Sequence, residues 1–296
     1  MRLLKRLAMG TLVTAVAAYL VACFCLWRWQ TRLIFYPSAA VSETPADFGA
    51  WFELVRIATA GSDGQGRLDG WWIPAEQPDA AVVLYLHGNG DNIGANAAHS
   101  VRLRSLGLSV LLFDYRGYGR SSEGFPSEAL VYQDSEDAWN YLVREYHVRP
   151  RQIFIYGHSL GGAIAIELAI HHPDAAGLIV ESSFTSATDM ARRLGVFRFF
   201  PLEMLVHERF QSISKVGSLK LPVIFLHGTS DLTVPSSMSQ KLFAAAPEPR
   251  QLVLIPGGHH IDSAVVGGPL YFDPLRTFVR SAQERLGTVV GTGYDR

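Results

Sequence analysis

An α/β fold is predicted for residues 32–286: one mostly parallel sheet with helices on both faces. Three observations predict it. Short runs of continuous apolar residues recur, helix-length stretches alternate with them, and residues that favour turns separate the two. Preceding this domain, residues 1–31 form a separate apolar segment, and residues 287–296 are expected to be a mobile tail.

The N-terminal segment has no charge from Leu7 to Trp27, 21 residues. A helix of that length spans roughly 30 Å, the thickness of a bilayer's hydrocarbon core. Arg2, Lys5 and Arg6 precede it, and Trp27, Arg28, Trp29, Arg32 and Tyr36 follow, a mixture suited to a headgroup interface. A transmembrane anchor is therefore expected. Three basic residues before the span against two just after it place the N-terminus inside and the rest of the chain on the outer or periplasmic side. Leu20-Val21-Ala22-Cys23 resembles a lipoprotein cleavage box, which leaves a cleaved signal as the alternative. Cys23 and Cys25, the only cysteines, point to different faces of a helix and make no bridge, redox motif or zinc site.

Trp51–Thr59 and Leu68–Ile73 are rich in β-forming residues, and Gly61–Gly66 between them has turn chemistry, so a hairpin is expected there. Six runs then read as strands buried on both faces: Ala81–Leu86, Val110–Phe113, Ile153–Tyr156, Leu178–Val180, Val223–Leu226 and Leu252–Ile255. Helices are expected over Ser127–Tyr146, Leu160–Ile170, Ser236–Ala246 and Leu270–Leu286. The interval from Ser186 to Leu221 has no strand and carries Phe197, Arg198, Phe199, Phe200 and Pro201. It reads as a small cap, at about residues 187–220, over the carboxyl ends of the strands.

The chemistry concentrates at Gly157-His158-Ser159-Leu160-Gly161-Gly162, between a strand and a helix. This is the setting of a nucleophile elbow, in which glycines permit a sharp turn and Ser159 is lifted above the sheet. A serine hydroxyl needs a base, and the base needs an orienting acid. Asp231, in a turn directly after a buried strand, is the expected acid, with Glu181 as its rival; Asp114 is expected to organise the Arg116-Gly117-Tyr118-Gly119 turn. After the last strand, His259 and His260 compete for the role of base. Neighbouring side chains diverge, so only one can face Ser159, and His260 is chosen, leaving His259 as a surface loop residue. The oxyanion donors are expected to be the backbone N–H groups of Leu160 and Asn89, the latter in the loop opened by His87-Gly88. His99, His147 and His207 read as lone residues in polar settings.

These motifs resemble the Bem46-type α/β-hydrolases, relatives of the αβ-hydrolase-domain proteins 13 and 17. His87-Gly88-Asn89, Asp114-Tyr115-Arg116-Gly117-Tyr118-Gly119-Arg120-Ser121, the Ser159 elbow, Glu181-Ser182-Ser183-Phe184-Thr185-Ser186 and His227-Gly228-x-x-Asp231-x-x-Val234-Pro235 carry the resemblance. It extends from about Arg32 to Leu286 and implies the α/β-hydrolase fold and a serine hydrolase. Relatives carry Gly-Gly-x-His-Asn-Asp at the base, which aligns the catalytic histidine with His260; Ile261 departs from the usual Asn. The expected reaction is hydrolysis of acyl carboxylesters or thioesters through an acyl-enzyme. A serine peptidase is the enzymatic alternative, and a silent binding protein on the same scaffold is the alternative of another class. No cofactor and no metal is implied. Basic and acidic residues nearly cancel (26 against 27), which excludes the broad positive field that nucleic-acid partners require.

Overall fold

The computed structural model describes residues 1–59 and 66–291. Its centre is a sheet of eight strands: β1 (Glu53–Ala58), β2 (Arg67–Ile73), β3 (Val82–Leu86), β4 (Ser109–Phe113), β5 (Ile153–His158), β6 (Gly177–Glu181), β7 (Val223–Gly228) and β8 (Arg250–Ile255). The spatial order is β1-β2-β4-β3-β5-β6-β7-β8. β2 is antiparallel to both β1 and β4, and every other neighbouring pair is parallel.

Burial follows the sequence pattern. β3 through β7 are almost wholly buried, as continuous apolar runs require, whereas β1 at the edge alternates. The Gly61–Gly66 turn falls, but for Gly66, outside the described residues.

Eight helices matter here: α1 (Arg2–Trp29), α2 (Ala97–Arg104), α3 (Glu128–Arg144), α4 (Leu160–His171), α5 (Ala187–Arg193), α6 (Leu202–Leu205), α7 (Ser236–Ala245) and α8 (Pro269–Gly291). One core layer joins α3, α4 and α7 to one face of the sheet, and a second joins α2 and α8 to the other. Ser127 caps α3, its hydroxyl accepting from the Leu130 N–H at 3.4 Å, and Glu128 in the first turn suits the positive end of the helix. The helix α8 runs on to Gly291, so the tail expected from Gly287 is helical as far as the described residues go.

α1 is long and apolar enough to cross a membrane, and none of its residues is buried in the protein. Cys23 and Cys25 are both free thiols. The chain leaves α1 through Gln30 and a short turn of helix, and Tyr36 and Pro37 then pair in parallel with Gly90 and Asp91. The interval 187–220 holds α5, a 3-10 turn at Val196–Phe199, and α6. It is tied down at Glu128, whose carboxylate accepts from the N–H groups of Arg209 (2.6 Å) and Phe210 (2.9 Å).

Candidate active site

The site forms at the carboxyl edge of the parallel strands, beside the point where the order of β3, β4 and β5 reverses direction. Ser159 follows β5, Asn89 follows β3, Asp231 follows β7 and His260 follows β8. Four loops far apart in sequence thus meet at one edge.

Ser159 has φ +56° and ψ −118°, a backbone conformation that L-residues rarely adopt. Its surroundings force it. A Cβ on Gly157 would lie 2.1 Å from the Gly161 carbonyl oxygen, and one on Gly161 would lie 2.0 Å from that of Leu86, so strand and helix approach too closely for any side chain. The Ser159 N–H donates to the Glu181 carbonyl (2.8 Å), and the Ser183 hydroxyl donates to the Ser159 carbonyl (2.8 Å). Both faces of the strained residue are therefore held.

His260 Nε2 lies 2.9 Å from Ser159 Oγ, and His260 Nδ1 lies 2.7 Å from Asp231 Oδ2. The other carboxylate oxygen of Asp231 accepts from the N–H groups of Thr233 (2.9 Å) and Val234 (2.8 Å). His227 Nε2 comes within 3.2 Å of Oδ2 and donates to the Val234 carbonyl at 2.9 Å. Burial opposes ionisation of Asp231, but hydrogen bonds from His227, His260 and the Val234 N–H outweigh it and hold the carboxyl well below its usual range.

The competing candidates go elsewhere. His259 is exposed and pairs with Asp262, 3.0 Å from its Nδ1, on the outside of the loop. Glu181 faces the hydroxyls of Tyr156 (2.6 Å) and Tyr271, with His99 at 3.7 Å. It is thus engaged beneath the loop and does not reach His260. Burial opposes its charge, but His99, His158 and the two hydroxyls keep it lowered. His99 corrects its expected polar setting. It is packed against Tyr85, Tyr156 and Tyr271, and burial pushes its pKa down to about 4. Its aromatic neighbours are 14 to 172 positions away in sequence, so local polarity was a poor guide.

Asp114 accepts from the Ile93 N–H at 2.8 Å, and its side chain fills the space where a Cβ on Gly119 would stand, 1.9 Å away. It abuts buried His87, whose Nε2 is 3.6 Å from Oδ1. Burial pushes Asp114 up to about 8 and His87 down to about 4. Arg116 is held by Asp134, not Asp114, through Nε at 2.6 Å and its N–H at 2.8 Å.

Leu160 is the first residue of α4, where an N–H has no acceptor within the helix. Asn89 is fixed from three sides. Its side-chain amide donates to the Ile34 carbonyl (2.7 Å), and its carbonyl accepts from the Tyr36 N–H (2.9 Å) and the Tyr118 hydroxyl (2.7 Å). Its side chain and its carbonyl are thereby both occupied, and the residue lines the cavity beside Ser159.

Two positioning contacts carry no signal in a local reading. One is His227 beneath Asp231. The other is His158, which donates through Nε2 to the His260 carbonyl at 2.8 Å.

Ser159 sits at the end of an apolar cavity of about 410 Å³. Leu26, Leu33 and Ile34 line it from α1 and the turn that follows it, and Met190, Phe197 and Leu205 from the interval 187–220. No carboxylate lines it among the described residues. A second, more polar cavity of about 380 Å³ lies on the other side of Ser159, with Arg102, His158 and Asp91 in its walls.

Comparison with known proteins bears on the family and the fold. A family described as serine aminopeptidase, S33, matches residues 76–213. The fold is shared with a solved esterase of Pyrococcus furiosus, at a TM-score of 0.69 and 21% identity, over 84% of this chain and 97% of that one. Identity is higher with WAV2, an alpha/beta hydrolase domain-containing protein of Arabidopsis thaliana: 32%, covering 89% of each chain. It is 30% with the protein bem46 of Schizosaccharomyces pombe, covering 90% of this chain and 91% of the relative. With an elbow serine, a parallel sheet in this order and such relatives along nearly its whole length, the chain belongs to the Bem46- and WAV2-type family of α/β-hydrolases.

Proposed function

We propose that the protein is a membrane-anchored serine hydrolase that cleaves carboxylester or thioester bonds of acyl substrates. The observation that carries this reading is the hydrogen-bonded chain Ser159–His260–Asp231, at 2.9 and 2.7 Å, opening onto an apolar cavity.

The distances support one direction of proton flow. With Asp231 ionised, His260 donates through Nδ1, so its Nε2 is the free acceptor for the Ser159 proton. Ser159 Oγ attacks the acyl carbonyl, His260 takes the proton, and the same proton goes to the leaving alcohol or thiol. Water then repeats the sequence on the acyl-enzyme. The oxyanion would be met by the N–H groups of Leu160 and Asn89, the first at the positive end of α4.

The acyl side favours esters and thioesters over peptides. The 410 Å³ cavity has an apolar lining with no carboxylate among the described residues, which suits an acyl chain, whereas two carboxylates near Ser159, those of Asp91 and Glu181, line the second cavity. α1 serves as the anchor, with the N-terminus inside and the catalytic domain on the outer side.

Fluorophosphonate labelling of the full chain in detergent tests the proposal. Wild type should label, while Ser159→Ala and His260→Ala should not. A folded wild type that does not label would overturn the catalytic reading.

A further inference from the structure

The anchor touches the cap far below its own exit. Tyr19 donates its hydroxyl to the Phe199 carbonyl at 2.9 Å, and its ring stacks on Phe200 with centroids 5.5 Å apart and planes 8° from parallel. Tyr19 precedes Trp27 by eight residues. At helical rise, the contact lies about 12 Å along the axis from the aromatic interface residues. If α1 spans the bilayer, as the proposed function holds, a cap resting on Tyr19 lies beneath the headgroup level.

The cap's surface matches that depth. Val196, Phe199 and Met204 point outward at 61, 66 and 82% exposure, an apolar cluster that water disfavours. Its charges are managed. Arg192 pairs with Asp189 at 3.1 Å and with Glu203, and the Arg198 guanidinium lies over the Phe199 ring, 4.7 Å from the centroid. Long basic side chains reach the headgroups from such positions while their stems stay among acyl chains.

The connection to the site is direct. Gln30, at the end of α1, is buried and accepts from the N–H groups of His207 and Glu208, both at 2.9 Å, while donating to the Leu205 carbonyl at 3.1 Å. The anchor and the cap are thereby stapled around the apolar cavity, with Leu26 and Leu33 on one side and Leu194, Phe197 and Leu205 on the other.

We infer that the cap is inserted in the acyl layer beside α1, and that the cavity between them takes the acyl chain of a bilayer-resident substrate without passage through water. The occupant of the exposed cap face is the lipid phase itself. This rests on the anchored-hydrolase reading, and the test separates the two.

The full chain, with Cys23→Ser and Cys25→Ser, is reconstituted in phosphatidylcholine–phosphatidylglycerol vesicles. Single cysteines at Val13, Phe199 and Asp273 carry an environment-sensitive fluorophore, and lipids with nitroxides on the acyl chain act as quenchers. The Val13 and Phe199 probes should be quenched and the Asp273 probe spared. Quenching at Val13 with Phe199 behaving like Asp273 overturns the insertion and leaves the anchor standing. A Val13 probe that behaves like Asp273 overturns the anchor and the insertion together. A Phe199 probe that is shielded from water yet unquenched means that a protein surface covers the cap, which also overturns the proposal.

A second arm reads function. Combined Phe199→Glu and Met204→Glu should leave hydrolysis of a soluble short-chain ester unchanged and lower hydrolysis of a vesicle-borne long-chain ester by about tenfold or more, because charges resist insertion. Equal activity of variant and wild type on both substrates overturns the insertion. Loss of both overturns it as well, since the cap face would then serve the site itself.

Discussion

His158, the residue before Ser159, donates its Nε2–H to the carbonyl of His260, 2.8 Å away, and so ties the elbow to the loop that carries His260. The bond fixes the base relative to Ser159 without touching either reacting atom. His158→Ala should therefore lower kcat on a soluble ester by about 10²-fold, the scale of an ångström's misplacement of a catalytic group. KM and the fluorophosphonate-accessible fraction should change little. A kcat equal to wild type in a variant of normal stability would show that the loop holds itself.

Asp231 is poised between His260 and His227. Asp231→Asn keeps the shape but removes the charge that stabilises the imidazolium and selects its tautomer. The expected loss is about 10⁴-fold in kcat. His227→Phe should cost less, because the Thr233 and Val234 N–H groups still hold the carboxylate. Because the Asp231 pKa is lowered, its share of folding stability is present above the ordinary carboxylate range and is lost only as pH falls toward its depressed value. Urea titrations at about pH 7 and about pH 2 should therefore show Asp231→Asn losing its disadvantage at the lower pH, with little change down to about pH 4.

Asp114 has the opposite sign. Burial raises its pKa to about 8, so the folded state binds a proton that the unfolded chain releases near pH 4. Its contribution is fully present below about pH 4 and lost as pH rises through about 8. The wild type should lose stability across this window more steeply than Asp114→Asn, whose amide keeps a donor and an acceptor in the same pocket. Parallel slopes in denaturant titrations from pH 5 to pH 9 would sink the assignment.

The strands and the elbow were readable because their causes are local. Continuous apolar runs mark strands buried on both faces, and glycines around Ser159 mark a turn where strand and helix nearly collide. That one of His259 and His260 lies beside Ser159 could be anticipated from loop order, and the resemblance at Gly257-Gly258-His259-His260 points to His260. Other features depend on partners brought together by the fold. The Ile34 carbonyl that fixes Asn89 is 55 residues away, and Tyr271, which faces Glu181, is 90 away. Nothing in the spacing of His99 distinguishes a solvated histidine from one enclosed by three tyrosines. The hydrophobic pattern likewise shows α1 to be long and apolar enough to cross a membrane but is silent about the contact of Tyr19 with Phe199 and Phe200.

The cavity sets the final expectation. Each methylene moved from water into an apolar wall contributes about 0.8 kcal/mol, or about fourfold in kcat/KM when the contact persists in the transition state. A homologous series of soluble acyl esters should therefore climb by about fourfold per carbon until the 410 Å³ space is filled, then level off. Met190 lines the cavity from α5, so Met190→Trp should move the plateau to shorter chains while leaving acetate and propionate esters near wild-type rates. The ratio of long- to short-chain kcat/KM in the two proteins reads this directly. A plateau at the same chain length in both would place the acyl group in the polar cavity on the other side of Ser159, where Arg102 and Asp91 stand.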